Sequence, residues 1–248
     1  MTLPLRNLRL DVTYDGSAFF GFQFQLNVPT VQAELERAAG SVIGTKVRVV
    51  GSGRTDTGVH AMGQVAAVKT VCPIPVEKLR LAMNARMPES LRVRSIEEAP
   101  LDFHPRFSAK GKQYRYLIRP VKEFSPLLAR LCHQVVEPLD IDKMREGATM
   151  FVGLHDFSAF TKSPEKVEDP HRLILESGIH IQEDTIVFDV VGTGFLRNMV
   201  RNMAKALLLT GLHKMEPHDI VELYRNQDRS RIGAPAPPGG LYLMKVMY

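Results

Sequence analysis

The run GSGRTDTGVHA, residues 51–61, sets Gly51, Gly53 and Gly58 around an acid and a base, Asp56 and Arg54, with hydroxyls on Thr55 and Thr57. Glycine lets the backbone take positive φ or approach a ligand closely, so this spacing is that of a loop shaped around something. A Gly-Asp loop in isolation is more often an Asx-turn whose carboxylate bonds its own backbone. This one gathers an acid, a guanidinium and hydroxyls between two expected strands, and it lacks the GxxxxGK[ST] pattern of a phosphate loop. A carboxylate placed so can act as nucleophile or general base.

Other groups carry weaker signals. In FLRNMVRNM and beyond, Leu196, Met199, Val200, Met203 and Leu207 follow helical spacing, and Arg197, Arg201 and Lys205 recur four apart on another face. That row reads as a solvated cationic face or a set of phosphate contacts. Tyr114 reads as an ordinary strand aromatic. His60, His104 and His155 lack ligand spacing, and Cys72 and Cys132 form no CxxC, so neither a metal site nor a disulfide framework is expected. The triplet from His155 to Phe157 reads as structural, with Phe157 and Phe160 in the core.

The elements that must position the loop follow from periodicity. Leu8, Leu10, Val12 and Tyr14 alternate with polar residues as in a half-buried strand, and Asp15-Gly16 ends it. Thr30 is an N-cap for a helix that stops at Gly44. A strand over 46–50 enters the glycine-rich loop and one over 64–70 leaves it. A helix over 75–86 and a strand over 91–96 complete a strand-helix-strand-strand-helix-strand unit. The Pro- and Gly-containing stretch 102–112 marks a boundary between domains 1–105 and 106–248. The second holds a strand over 113–118, a helix over 140–151, a hairpin of 172–182 with 185–191, a long helix from Phe195, a helix over 217–226 and a final strand over 241–246.

With 248 residues, 44% hydrophobic and 24% charged, the chain is long enough to bury one large core or two modest ones. Lys and Arg number 32 against 27 Asp and Glu, a net charge of +5 that favours a polyanionic partner. No apolar run reaches the length of a membrane helix and the N-terminus lacks a signal-peptide core, so a cytoplasmic protein with no membrane contact is expected.

The segment GRTDTGVHA closely resembles the signature of the tRNA pseudouridine synthase A family, GRTDAGVHA, with Thr57 replacing Ala. The likeness continues through YDGSAFFGFQFQ, FHPRFSAKGKQYRY, GLHDFSAF, GFLRNMVRNM and PAPPGGLYL, in order along nearly the whole chain. The resemblance implies an α+β protein of two α/β domains of related topology, whose antiparallel sheets join across a central catalytic cleft with helices on the outer face. It implies isomerisation of uridine to pseudouridine at positions 38, 39 and 40 of the tRNA anticodon stem-loop, by a homodimer that uses no cofactor or metal. It makes Asp56 the nucleophile, sets Arg54 beside it on the nucleotide, pairs Arg201 with it, and gives Tyr114 and Leu243 to the base. Two other classes stay open on the residues alone. One is a metal-dependent nuclease or phosphotransferase, for which the clustered carboxylates are missing. The other is a non-catalytic RNA-binding module.

Overall fold

The computed structural model describes residues 3–248, and the chain forms an α+β protein with two compact units. The first contains everything up to Lys110 together with Leu243–Tyr248, and the second runs Gly111–Tyr242. The chain passes from the first unit to the second after Lys110, close to the expected division at 105/106, and Leu243–Tyr248 group with the first unit.

In the first unit β1 (Arg6–Tyr14) lies between β3 (His60–Thr70) and β4 (Leu91–Ala99), antiparallel to both. The short β2 (Val49–Gly51) adds to β3, and the part of β10 (Leu241–Met247) from Leu243 onward also neighbours β3. Leu8, Leu10 and Val12 are buried, as the period-two pattern requires. α1 (Val31–Ile43) starts where expected because the Thr30 side chain accepts the Ala33 N–H at 3.3 Å, and it ends at Gly44, whose φ of 84° is left-handed. Val31, Leu35, Ala38 and Ala39 form its buried face, each large apolar side chain contributing roughly 1.5–3 kcal/mol of burial. α1 packs on α2 (Val76–Asn84), which packs on β4.

In the second unit β5 (Gly111–Pro120), β9 (Thr185–Gly192), β8 (His171–Gln182) and β7 (Gly153–Asp156) are antiparallel neighbours in that order, and β6 (His133–Val135) runs parallel to β5. α3 (Ile141–Thr149) packs against β8 and α4 (Met199–Gly211), and α5 (Asp219–Asn226) follows. Phe151, Phe157, Phe160 and Phe188 are fully buried, with Phe151 edge-on to Phe160 at 5.6 Å. Phe157 and Phe160 thus take the core positions expected of them, and His155 stacks on Tyr224 at 4.4 Å.

The long helix expected from Phe195 begins four residues later, at Met199. Asn198 has φ 62°, a left-handed conformation that cannot extend a right-handed helix backwards. Arg197 therefore lies before the helix, and the four-apart cationic row reduces to Arg201 and Lys205. Among the described residues no helix is long and apolar enough to cross a membrane.

Candidate active site

Each unit holds part of the chemistry read from the sequence. In the first, β2 and β3 pin both ends of the loop, and its interior is fixed through the backbone. The Ser52 N–H donates to Val65 O at 2.7 Å, the Phe22 N–H donates to Thr55 O at 3.1 Å, and the Val59 N–H donates to Asp56 O at 3.1 Å. The last bond closes a four-residue turn from Asp56 to Val59, whose third residue, Gly58, has the positive φ of 80° that a type II turn demands. Thr55 is buried, Asp56 half-buried and Arg54 exposed. Gly21, with φ 91°, presses on this loop from the segment after β1, and a Cβ there would stand 2.8 Å from Thr55 O.

Beneath the loop lies a buried polar ladder that periodicity did not single out. Gln64, fully buried in β3, accepts the Ser52 hydroxyl at 2.7 Å and donates to Gly53 O at 3.1 Å, so one amide holds the backbone and a side chain of the loop. The Tyr14 hydroxyl meets the Thr55 hydroxyl at 2.8 Å. Burial pushes the Tyr14 phenol up to about 12, against the smaller opposing pull of its bonds to Thr55 and Gln64, so it is a neutral partner at ordinary pH. The signal available beforehand was a glutamine and a tyrosine at inward positions of apolar strands, since buried polar groups need partners. His60, which lacks metal-ligand spacing, accepts the Gly16 N–H on Nδ1 at 3.1 Å. An Asp15 carboxylate oxygen also lies 3.2 Å from the same Nδ1.

In the second unit Tyr114 sits in β5 opposite Val190, its ring edge-on to Phe195 at 5.0 Å. Arg201 lies in the first turn of α4, where its Nε donates to Ala236 O at 2.7 Å while its own carbonyl accepts the Ala236 N–H at 3.2 Å. The Tyr116 hydroxyl donates to Pro237 O at 2.9 Å, so Arg201 and Tyr116 hold the PAPP segment together. Burial raises the Tyr116 phenol far above its ordinary range, although the Arg201 charge pulls the other way. α4 packs on β5, so one unit carries both Tyr114 and Arg201, as the other carries Arg54 and Asp56. Leu243 is buried in β10. Among the described residues no group of three or more His, Cys, Asp or Glu side chains is arranged to hold a metal ion.

Comparison with known proteins identifies the lineage. The family model described as tRNA pseudouridine synthase matches residues 12–108 and 148–248. A tRNA pseudouridine synthase A of Thermoanaerobacter sp. (strain X514) is 39% identical over 244 residues, covering 98% of this chain and 100% of that protein. One from Geobacillus sp. (strain WCH70) is 38% identical, covering 98% of each chain. Among solved structures, the archaeal box H/ACA sRNP Nop10-Cbf5 complex contains a chain 12% identical to this one, with a TM-score of 0.37 over 93% of this chain and 58% of that one.

Proposed function

The chain belongs to the tRNA pseudouridine synthase family, an isomerase of uridine in tRNA, and we propose that Asp56 is its nucleophile and that its targets are the uridines at positions 38, 39 and 40 of the anticodon stem-loop. The observation that carries the assignment to Asp56 is its setting: a half-buried carboxylate on a loop whose neighbours on both sides are fixed by backbone bonds, beside the exposed Arg54. Fixed geometry of this kind is what a reacting carboxylate requires.

The reaction breaks the bond from N1 to C1′, turns the base and joins C5 to C1′; the C5 proton leaves and N1 gains one, so composition is unchanged and no oxidant or cofactor is consumed. Asp56 attacks C1′ or C6, or takes a ribose proton to give a glycal, and each route needs it ionised. The target base must leave its stack, at a cost of a few kcal/mol. In this proposal Arg54 holds the opened strand or its phosphate, Tyr114 replaces lost stacking, Leu243 lines the base, and Arg201 favours the charged form of Asp56. The proposal includes a cytoplasmic homodimer that works without metal.

The test of target choice is tritium release from tRNA labelled at uridine C5, using transcripts with cytidine in place of uridine at positions 38, 39 and 40. Release should fall with each uridine removed and vanish when all three are gone. Undiminished release from the triply substituted tRNA would overturn the positional assignment.

A further inference from the structure

The segment that presses on the Asp56 loop exposes more apolar surface than a firmly held loop needs to. Phe19 and Phe22 are buried, whereas Phe20, Phe24 and Leu26 are 49%, 52% and 80% exposed. The backbone beneath them is tied down. The Phe20 N–H donates to Pro29 O at 2.9 Å, the Val31 N–H to Gly21 O at 3.2 Å and the Gln32 N–H to Phe22 O at 2.9 Å. The Gln25 amide donates to Phe20 O at 2.7 Å, and the Phe24 N–H donates to the Gln32 side chain at 2.9 Å. Two phenylalanines presented to water on such a support resemble the anchors of a binding surface, because their ordering has already been met by the fold.

Place and charge indicate the occupant. Phe20 is one residue from Gly21, where an added Cβ would also stand 3.4 Å from the Asp56 carbonyl carbon and from Thr57 N. Between Gly16 and Asn27 no residue carries charge, and the Asp56 loop on which the segment rests presents the exposed Arg54. A neutral aromatic surface beside a cation suits a polyanion whose bases offer flat π-faces.

We propose that Phe20 and Phe24 form a platform on which the RNA bases next to the target uridine stack, holding the strand open while the target sits at Asp56. This rests on the reading of Asp56 as the centre that isomerises uridine. The platform is sequence-tolerant, since every base has a π-face, and so it suits an enzyme acting at neighbouring positions in different sequence contexts.

The experiment uses the full chain and an anticodon stem-loop carrying 2-aminopurine beside the target. Changing both Phe20→Ala and Phe24→Ala should weaken binding roughly tenfold or more and abolish the fluorescence quenching, with the loss falling on Kd more than on the single-turnover rate at saturating RNA. The pair Phe20→Tyr and Phe24→Tyr should restore binding and quenching, and the pair Phe20→Leu and Phe24→Leu should not. Wild-type binding by the alanine or leucine pair would overturn the platform, as would a change of binding explained by a shift in oligomeric mass measured by light scattering. Tritium release separates the two layers: loss of binding effects alongside Asp56-dependent release removes only the platform, whereas no release from wild type removes the underlying reading.

Discussion

The loop at 51–60 in the first unit and the stretch 193–201 in the second are both glycine-containing approaches to a charged residue, and both combine backbone and side-chain bonds, but in different balance. The first is fixed by backbone bonds and close approaches at Ser52, Thr55, Asp56 and Gly21. The second has backbone bonds of its own, from the Thr193 N–H to Leu173 O at 3.0 Å and from the Ala236 N–H to Arg201 O at 3.2 Å, and is moored further by side chains: Thr161 donates its hydroxyl to Arg197 O at 3.1 Å, Asn202 donates its amide to Phe160 O at 2.6 Å, and Arg201 Nε donates to Ala236 O. A loop held largely through its backbone, with Gln64 and Tyr14 as its buried side-chain supports, sets the position of its acid independently of the exposed side chains around it. A side-chain-moored helix start depends on a few residue types, and its arginine serves as strut as well as charge.

Four substitutions sharpen or break that contrast. Gly21→Ala should cost the most, about 2–4 kcal/mol in chemical denaturation, because its φ of 91° disfavours any side chain and the new Cβ meets Thr55 O. A loss under about 0.5 kcal/mol would mean the loop yields easily and is not backbone-held. Gln64→Leu should cost about 2 kcal/mol, since it removes the bonds that its amide makes to the Ser52 hydroxyl and the Gly53 carbonyl, and should lower turnover by loosening the loop; denaturation and single-turnover rates check both.

Asn198→Ala should cost about 1 kcal/mol, the penalty of a left-handed residue other than glycine or asparagine, measured by urea denaturation. A cost as large as that of Gly21→Ala would erase the distinction between the two regions. Tyr14→Phe should be mildest, about 1 kcal/mol or less for the bond to Thr55, and it carries a pH signature. Because the folded phenol is raised from 10.0 to about 12, its contribution is fully present below pH 10 and is lost as pH rises from 10 through about 12. The phenylalanine variant should lose correspondingly less stability over that interval, as read from urea midpoints across the pH range.

What was legible in the sequence was local. α1 could be bounded to the residue because Thr30 and Gly44 are chemical start and stop signals, and the Asp56 loop stood out through its own composition. The start of α4 was misread because apolar spacing runs on through Leu196, and one left-handed asparagine, a conformation its side chain tolerates without announcing, breaks the helix. β6 and β7, at three and four residues, are too short for a period to show. Gln64 and Tyr14 escaped notice because their partners lie 12 and 41 residues away, and the clustering of Leu243–Tyr248 with the first unit is longer-ranged still.

The measurement that bears most directly on the account is tritium release from C5-labelled tRNA, without added metal or cofactor, by wild type and Asp56→Asn at equal RNA occupancy. The account predicts release by wild type and a loss of more than about a thousandfold in the variant, with most RNA binding retained, because removing a nucleophile removes the step it performs. Comparable release from both proteins would contradict the assignment of the chemistry to Asp56.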